Sequence, residues 1–130
     1  MFINRETDYA IRIVRNLTYD SLSQLEKIAD KENVSLTMAH KVCRSLKKGG
    51  IINSKSGING GYYLNKPLSE LTLYDVYGAM NDVTDITKCL MDKDLCPFSS
   101  LGTCKVHDEL NRIQSVIIDE LKRKSLAELV

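Results

Sequence analysis

The stretch 35–64 leaves the backbone few choices. Ser35 is placed to cap a helix running to Lys48, with Leu36, Ala39, Val42, Cys43 and Leu46 recurring at helical spacing on its inward face. Gly49-Gly50 ends that helix. Ile51-Ile52-Asn53-Ser54-Lys55 has strand character, residues 56–60 are turn formers, and Gly61-Tyr62-Tyr63-Leu64 returns as a second strand. A helix, a glycine stop and a tight hairpin within thirty residues leave little room for anything but a small, mainly helical head carrying one β-ribbon.

The residues upstream extend the pattern. A first helix is expected over 5–20, with Ala10, Ile13, Val14 and Leu17 inward. Ser23-Gln-Leu-Glu26 reads as a capping box opening a short second helix, with Leu25, Ile28 and Ala29 inward and Asn33 as a left-handed stop. Two short helices joined by a tight turn, the second one basic, form the helix-turn-helix pattern. A hairpin directly after the second helix is then a wing. Its glycines at 57, 60 and 61 let backbone approach a phosphate or enter a minor groove, where side chains would collide.

Charge distribution points the same way. The chain's formal net charge is only +1. Yet no acid occurs over 34–69, where Lys41, Arg44, Lys47, Lys48, Lys55 and Lys66 are all basic. Solvated helix faces usually mix signs, so an acid-free basic segment favours a polyanionic partner.

Beyond Pro67 the chain turns helical again. Thr72-Leu-Tyr-Asp75 is a second capping box, leading a helix to about Met80. The longest helix is expected over 105–124, with Val106, Leu110, Ile113, Ile117 and Leu121 on one stripe. Its early acids, Asp108 and Glu109, and late bases, Lys122, Arg123 and Lys124, suit the helix dipole. Such a stripe packs on its own domain or on a second subunit, and matching of palindromic half-sites favours a homodimer.

Between these helices lies CLMDKDLCPFSSLGTCKVH, residues 89–107, read as a loop because Asp92, Lys93, Asp94, Pro97, Ser99, Ser100 and Gly102 show no helical or strand period. It holds Cys89, Cys96 and Cys104, then His107 as C-x-x-H. Thiolates beside a neutral imidazole are suitable donors for a metal or cluster; the spacing is neither the C-x-x-C of a zinc ribbon nor a ferredoxin run, so unrelated surface cysteines remain the competing reading. Cys43, at an apolar helical position, is assigned to the core.

The opening MFINRETDYA has no basic start followed by an apolar run, and no apolar segment approaches the length needed to cross a bilayer. A cytoplasmic protein without membrane contact is expected, in which cysteines are reduced, metal-bound or redox-active rather than disulfide-bonded. With no P-loop, dinucleotide fingerprint or nucleophile motif, neither an enzyme nor a small-molecule substrate is expected.

TDYAIR at 7–12, the helix-turn-helix, GINGGYYL at 57–64, LTLYDV at 71–76, the three spaced cysteines with C-x-x-H and SLAEL at 125–129 resemble, in collinear order, the iron–sulfur cluster regulators. These are winged-helix transcription factors with IscR-type and NsrR-type members. The resemblance implies a mainly α fold with a small hairpin wing, a winged helix-turn-helix head at 1–66, and a cysteine loop and long dimerisation helix at 67–130, together one compact dimeric unit. It implies a DNA-binding regulator, expected to repress, whose affinity for a palindromic operator follows cluster state. By position, Cys89, Cys96 and Cys104 match the cysteine ligands. His107 matches the fourth ligand of an IscR-type 2Fe–2S cluster, which is favoured over the 4Fe–4S cluster to which Asp8 would be lent by the partner subunit as in NsrR-type proteins. The intervals between the cysteines are longer than the IscR-type spacing.

Ser35, Thr37, His40, Lys41 and Arg44 are expected to face the major groove or its phosphates, with Ser54, Lys55, Asn59 and Tyr62 near the backbone. Relatives often carry Tyr-Leu-Glu where this chain reads Met38-Ala39-His40; a glutamate accepts from cytosine N4 and histidine does not do so in the same way, so the operator is not transferable. Two rivals stand beside this reading: a DNA-binding regulator with a structural Cys3His zinc site, and an electron-transfer or cluster-carrier protein, which the acid-free segment disfavours.

Overall fold

The computed structural model describes residues 3–81, 84–96 and 104–130. In chain order these form α1 (Arg5–Val14), α2 (Leu25–Glu32), α3 (Leu36–Lys48), β1 (Ile52–Lys55), β2 (Gly61–Leu64), α4 (Leu73–Met80), the short α5 (Lys88–Met91) and α6 (Lys105–Lys122), with single 3-10 turns at Leu68–Glu70, Lys93–Leu95 and Leu126–Glu128. The expected mainly α fold with a two-stranded wing is present.

α1 opens where the Asn4 side chain accepts from the Thr7 N–H, at 2.8 Å. It stops at Val14 rather than near residue 20. Asn16 turns its side-chain amide back onto the Arg12 carbonyl (2.8 Å) and onto Glu32 (2.6 Å), an alternative to further helix that short amide side chains offer the backbone. Leu17 is buried nonetheless, from the turn rather than from the helix.

The capping box expected at Ser23 does not form. α2 is capped by the extended residue Gln24 with no side-chain bond, because Ser23 is engaged elsewhere. Its N–H donates to the Tyr62 carbonyl and its carbonyl accepts from the Tyr62 N–H, both at 2.9 Å. Ser23 thus adds a third edge to the wing, and two ladder bonds outweigh one exposed cap. The approach demands glycine at 61: a Cβ there would lie 2.6 Å from the Ser23 oxygen. Asn33 does close α2 in the left-handed conformation, with φ 53° and ψ 48°.

Ser35 caps α3 as expected, accepting from the Met38 N–H. Ala39, Val42, Cys43 and Leu46 are buried, but Leu36 is 42% exposed. In the first turn of α3 it lies beyond the edge of the core that the following turns reach. The hairpin pairs Ile52 with Leu64 and Lys55 with Gly61, antiparallel. Thr72 and Asp75 form their capping box in full.

One core joins the head to the C-terminal part of the chain. Ile13, Leu17, Val42, Leu46, Ile52 and Leu64 pack with Leu71, Val76 and Leu126. Burial of each such side chain contributes about 1.5–3 kcal/mol. The Leu126 N–H donates to the Leu71 carbonyl at 2.7 Å, bringing the segment after α6 back to the start of α4. α4 packs against α1, α3 and α6 and so lies between the first helices and the long helix.

The cysteine stretch is not a plain loop. α5 and the 3-10 turn at Lys93–Leu95 occupy its first part, held by local bonds such as Asp92 N–H to the Lys88 carbonyl. Pro97, Ser99, Ser100 and Gly102 lie outside the described residues. On α6 only Gln114 is buried; Val106 is 68% exposed, and Ile113 and Val116 are exposed as well.

Candidate nucleic-acid interface and metal centre

α2, α3 and the wing enclose a cleft of about 410 Å³ lined by His40, Ser54, Lys55, Gly57, Ile58 and Tyr62, among others. Thr37, His40, Lys41 and Arg44 are exposed on α3, and Lys55 and Asn59 are exposed on the wing. Ser35 is exposed too, but its hydroxyl is committed to the cap. Ser54 and Tyr62 are half-buried. Burial, first, holds the Tyr62 phenol above its ordinary range, so it stays protonated and able to donate.

Two contacts tie this face to its surroundings. Lys47 Nζ donates to Ser54 Oγ at 2.9 Å, bracing the end of α3 against the wing. Lys47 is not among the residues that the sequence places at the interface. Its signal is its place in the acid-free run, three residues past Arg44 and seven past His40 on a helix. On the other flank, Lys41 Nζ lies 2.5 Å from Glu6 Oε1 of α1. A cation aimed toward this face is therefore already paired with an acid from another helix.

The candidate ligands are partly gathered. Cys104 caps α6, its sulfur accepting from the His107 N–H at 3.5 Å. His107 Nδ1 lies 3.5 Å from Asp108 Oδ1, which leaves Nε2 facing away from that carboxylate. Cys89 is half-buried beside the Thr87 hydroxyl, at 3.6 Å. All four cysteines are free thiols. Among the described residues no three His, Cys, Asp or Glu side chains converge on one point, so Cys89, Cys96, Cys104 and His107 are not preassembled. Asp8, the other candidate, is engaged by Arg12 at 3.0 Å. Cys43 lies in the core, where burial pushes its thiol up to about 12, as suits an inert packing residue.

Gln114 anchors the segment leading to Cys89. Its Nε2 donates to Asp85 Oδ1 at 2.7 Å and its Oε1 accepts from the Ile86 N–H at 2.8 Å. Nothing in the sequence marks this residue beyond a polar side chain within a helix.

Two short helices with an exposed basic second member, followed by a hairpin braced to it, define a winged helix-turn-helix protein. Residues 3–130 match the family model of Rrf2, described as an iron-dependent transcriptional regulator, and the chain belongs to that family. It is 26% identical over 133 residues to the protein aau3 of Rhizobium meliloti (strain 1021), covering all of this chain and 85% of the relative. It is 30% identical over 106 residues to the transcriptional regulator IscR of Serratia proteamaculans (strain 568), covering 82% of this chain and 63% of that one. Of solved structures, CymR (YrzC), the global cysteine regulator of B. subtilis, superposes with a TM-score of 0.77 at 21% identity, covering 99% of this chain and 95% of the other. IscR of T. potens superposes with a TM-score of 0.74 at 15% identity, covering 99% and 85%. These two establish the fold. The chain is a DNA-binding transcriptional regulator, and its relatives are regulators rather than enzymes. No helix among the described residues is long and apolar enough to cross a membrane.

Proposed function

We propose that this protein is a cytoplasmic, homodimeric repressor whose affinity for a palindromic operator follows the state of an iron–sulfur cluster held by Cys89, Cys96, Cys104 and His107. The observation that carries the reading is a contrast among free thiols. Cys43 is sealed in the core, whereas Cys89, Cys96 and Cys104 lie outside it, on the two segments that flank residues 97–103. Three accessible thiols and an imidazole are a donor set that fits iron, and the family description and the IscR relatives are in keeping with it. His107 is preferred to Asp8 as fourth ligand because Asp8 already pairs with Arg12, and a 2Fe–2S cluster is accordingly preferred to a 4Fe–4S cluster. A bound cluster would supply iron–thiolate bonds that oxidants or nitric oxide break.

The chain's own residues carry the consequence to DNA. Gln114 links the segment before Cys89 to α6, α6 packs on α4, and α4 packs on α1 and α3. The part spanning 67–130 thereby sets the attitude of the head at 1–66. In a dimer formed through the exposed face of α6, each α3 meets one half-site. A small change of attitude alters half-site spacing and shifts the population competent to bind.

The test is anaerobic purification followed by a visible absorption spectrum and iron, sulfide and zinc analysis. Brown protein with matched iron and sulfide is the expected result, and the iron content per chain separates two-iron from four-iron clusters. Colourless, zinc-loaded protein would replace this reading with a structural Cys3His site. Cys96→Ala should leave a folded dimer whose DNA binding no longer responds to cluster loss; an unaltered response would sink the proposal.

A further inference from the structure

Ile58, at the apex of the wing, is 98% exposed, the most exposed of the large apolar side chains among the described residues. Single apolar residues on a surface are ordinary. This one differs in how it is presented. Gly57 precedes it in the left-handed region, with φ 104°. The Gly60 N–H donates to the Gly57 carbonyl at 3.0 Å and closes the turn. A Cβ added at Gly60 would lie 2.2 Å from the Lys55 oxygen, so the loop is drawn tight against the strand below it. The apex between the glycines therefore carries only two side chains, those of Ile58 and Asn59. Isoleucine is stiff about its first side-chain torsion, so little freedom is lost when it is inserted elsewhere.

Its setting indicates where it goes. The wing belongs to the acid-free segment, Lys55 stands in β1 below the tip, and Lys47 braces the hairpin to α3 through Ser54. A ribbon that carries Lys55 and no acid, and is backed by the basic α3, is drawn to the phosphates beside a groove, and its apex then points into that groove. The minor groove is about 6 Å wide, which suits a glycine-flanked tip better than a bulky loop. Aliphatic side chains that enter this groove act as wedges between base steps, and pyrimidine–purine steps unstack most readily.

We propose that Ile58 is a minor-groove wedge that presses on a pyrimidine–purine step beside the bases α3 reads, giving the protein sequence preference where it makes no base hydrogen bond. The inference rests on α3 and the wing being the DNA-facing surface. The exocyclic N2 amino group of guanine projects into the minor groove and obstructs the wedge, so a TA step is preferred to a CG step.

The full chain, prepared anaerobically, is used to select duplexes from a random pool, and affinities for the selected duplex are measured by fluorescence anisotropy. A pyrimidine–purine step should recur at a fixed distance from the α3-read bases. Replacing its adenine by 2,6-diaminopurine, which adds the minor-groove amino group and leaves the major-groove edge unchanged, should weaken binding about tenfold. Ile58→Ala should weaken binding by a similar factor and abolish the response to the analogue, while Ile58→Met should retain both. Because the side chain is in solvent, none of these variants disturbs the core. An analogue response that persists in Ile58→Ala overturns the wedge, whether or not affinity falls. Failure of the underlying surface assignment reads differently: Arg44→Ala and Lys55→Ala would then leave duplex binding unchanged.

Discussion

Gly49 and Ala79 meet where α3 ends against α4: a Cβ built on Gly49 would lie 2.5 Å from the Ala79 Cβ and 2.8 Å from its Cα. The end of α3 thus rests on α4, which also bears on α6, with only the Ala79 methyl group at the point of closest approach. Gly49→Ala should cost about 1–3 kcal/mol by overpacking, read as a lower urea midpoint. Its backbone, at φ −76°, accepts alanine, so the loss comes from packing alone. Ala79→Gly in the same chain should recover only part of it, since the backbone at 79 would still crowd the added methyl group.

Removing the Gln114 amide should loosen the segment before Cys89. Gln114→Leu leaves the Ile86 N–H and the Asp85 carboxylate without their partner, at a cost of about 1–3 kcal/mol. Hydrogen exchange at the Ile86 amide should speed up, while amides of α3 keep their protection. Equal acceleration in both places would mean that Gln114 supports the whole fold instead.

Glu6 competes with DNA for Lys41. An exposed pair of this kind contributes at most about 1 kcal/mol to stability, so Glu6→Gln should leave the melting temperature nearly unchanged. It removes one negative charge and frees one cation for phosphate. Affinity for the selected duplex should rise several-fold, and the dependence of log affinity on log salt should steepen by about one. An unchanged salt slope would place Lys41 away from the phosphates.

Acid should weaken the junction of α1 and α2. The Arg15 guanidinium bonds Glu32 through Nη2 at 2.6 Å and Nε at 3.0 Å and, with help from Asn16, holds the buried Glu32 carboxyl below its ordinary value of 4.5. A carboxyl with a depressed folded-state pKa stabilises the fold above its unfolded value, and that stabilisation is lost as pH falls through the folded one. Thermal stability should therefore decline below about pH 4.5. In Glu32→Gln this part of the decline should be absent, on a lower plateau at neutral pH.

Much of the arrangement is written locally. Ser35, Asn33 and the Thr72–Asp75 box set three helix boundaries through bonds within a few residues, and they appear where the residues predict. The hairpin likewise follows from β-prone runs around glycines, and the buried faces of α1 and α3 follow from their spacing except at Leu36, which is exposed, and Leu17, which is buried from beyond the end of α1. Local chemistry of this kind needs no partner from far along the chain.

What tertiary structure decided are the choices between equally available local bonds. Ser23 had the residues for a cap and became a wing edge because Tyr62 came within reach with both its N–H and its carbonyl. Asn16 ended α1 early with Glu32 beside it, sixteen residues along the chain. Lys47 found Ser54 where α3 packs on β1, Lys41 found Glu6 where α3 packs on α1, and Gln114 of α6 found Asp85 and Ile86. A polar side chain shows its capacity to bond in the sequence, but its partner is chosen by the packing of the apolar faces, which brings distant groups together and makes an unmet bond costly.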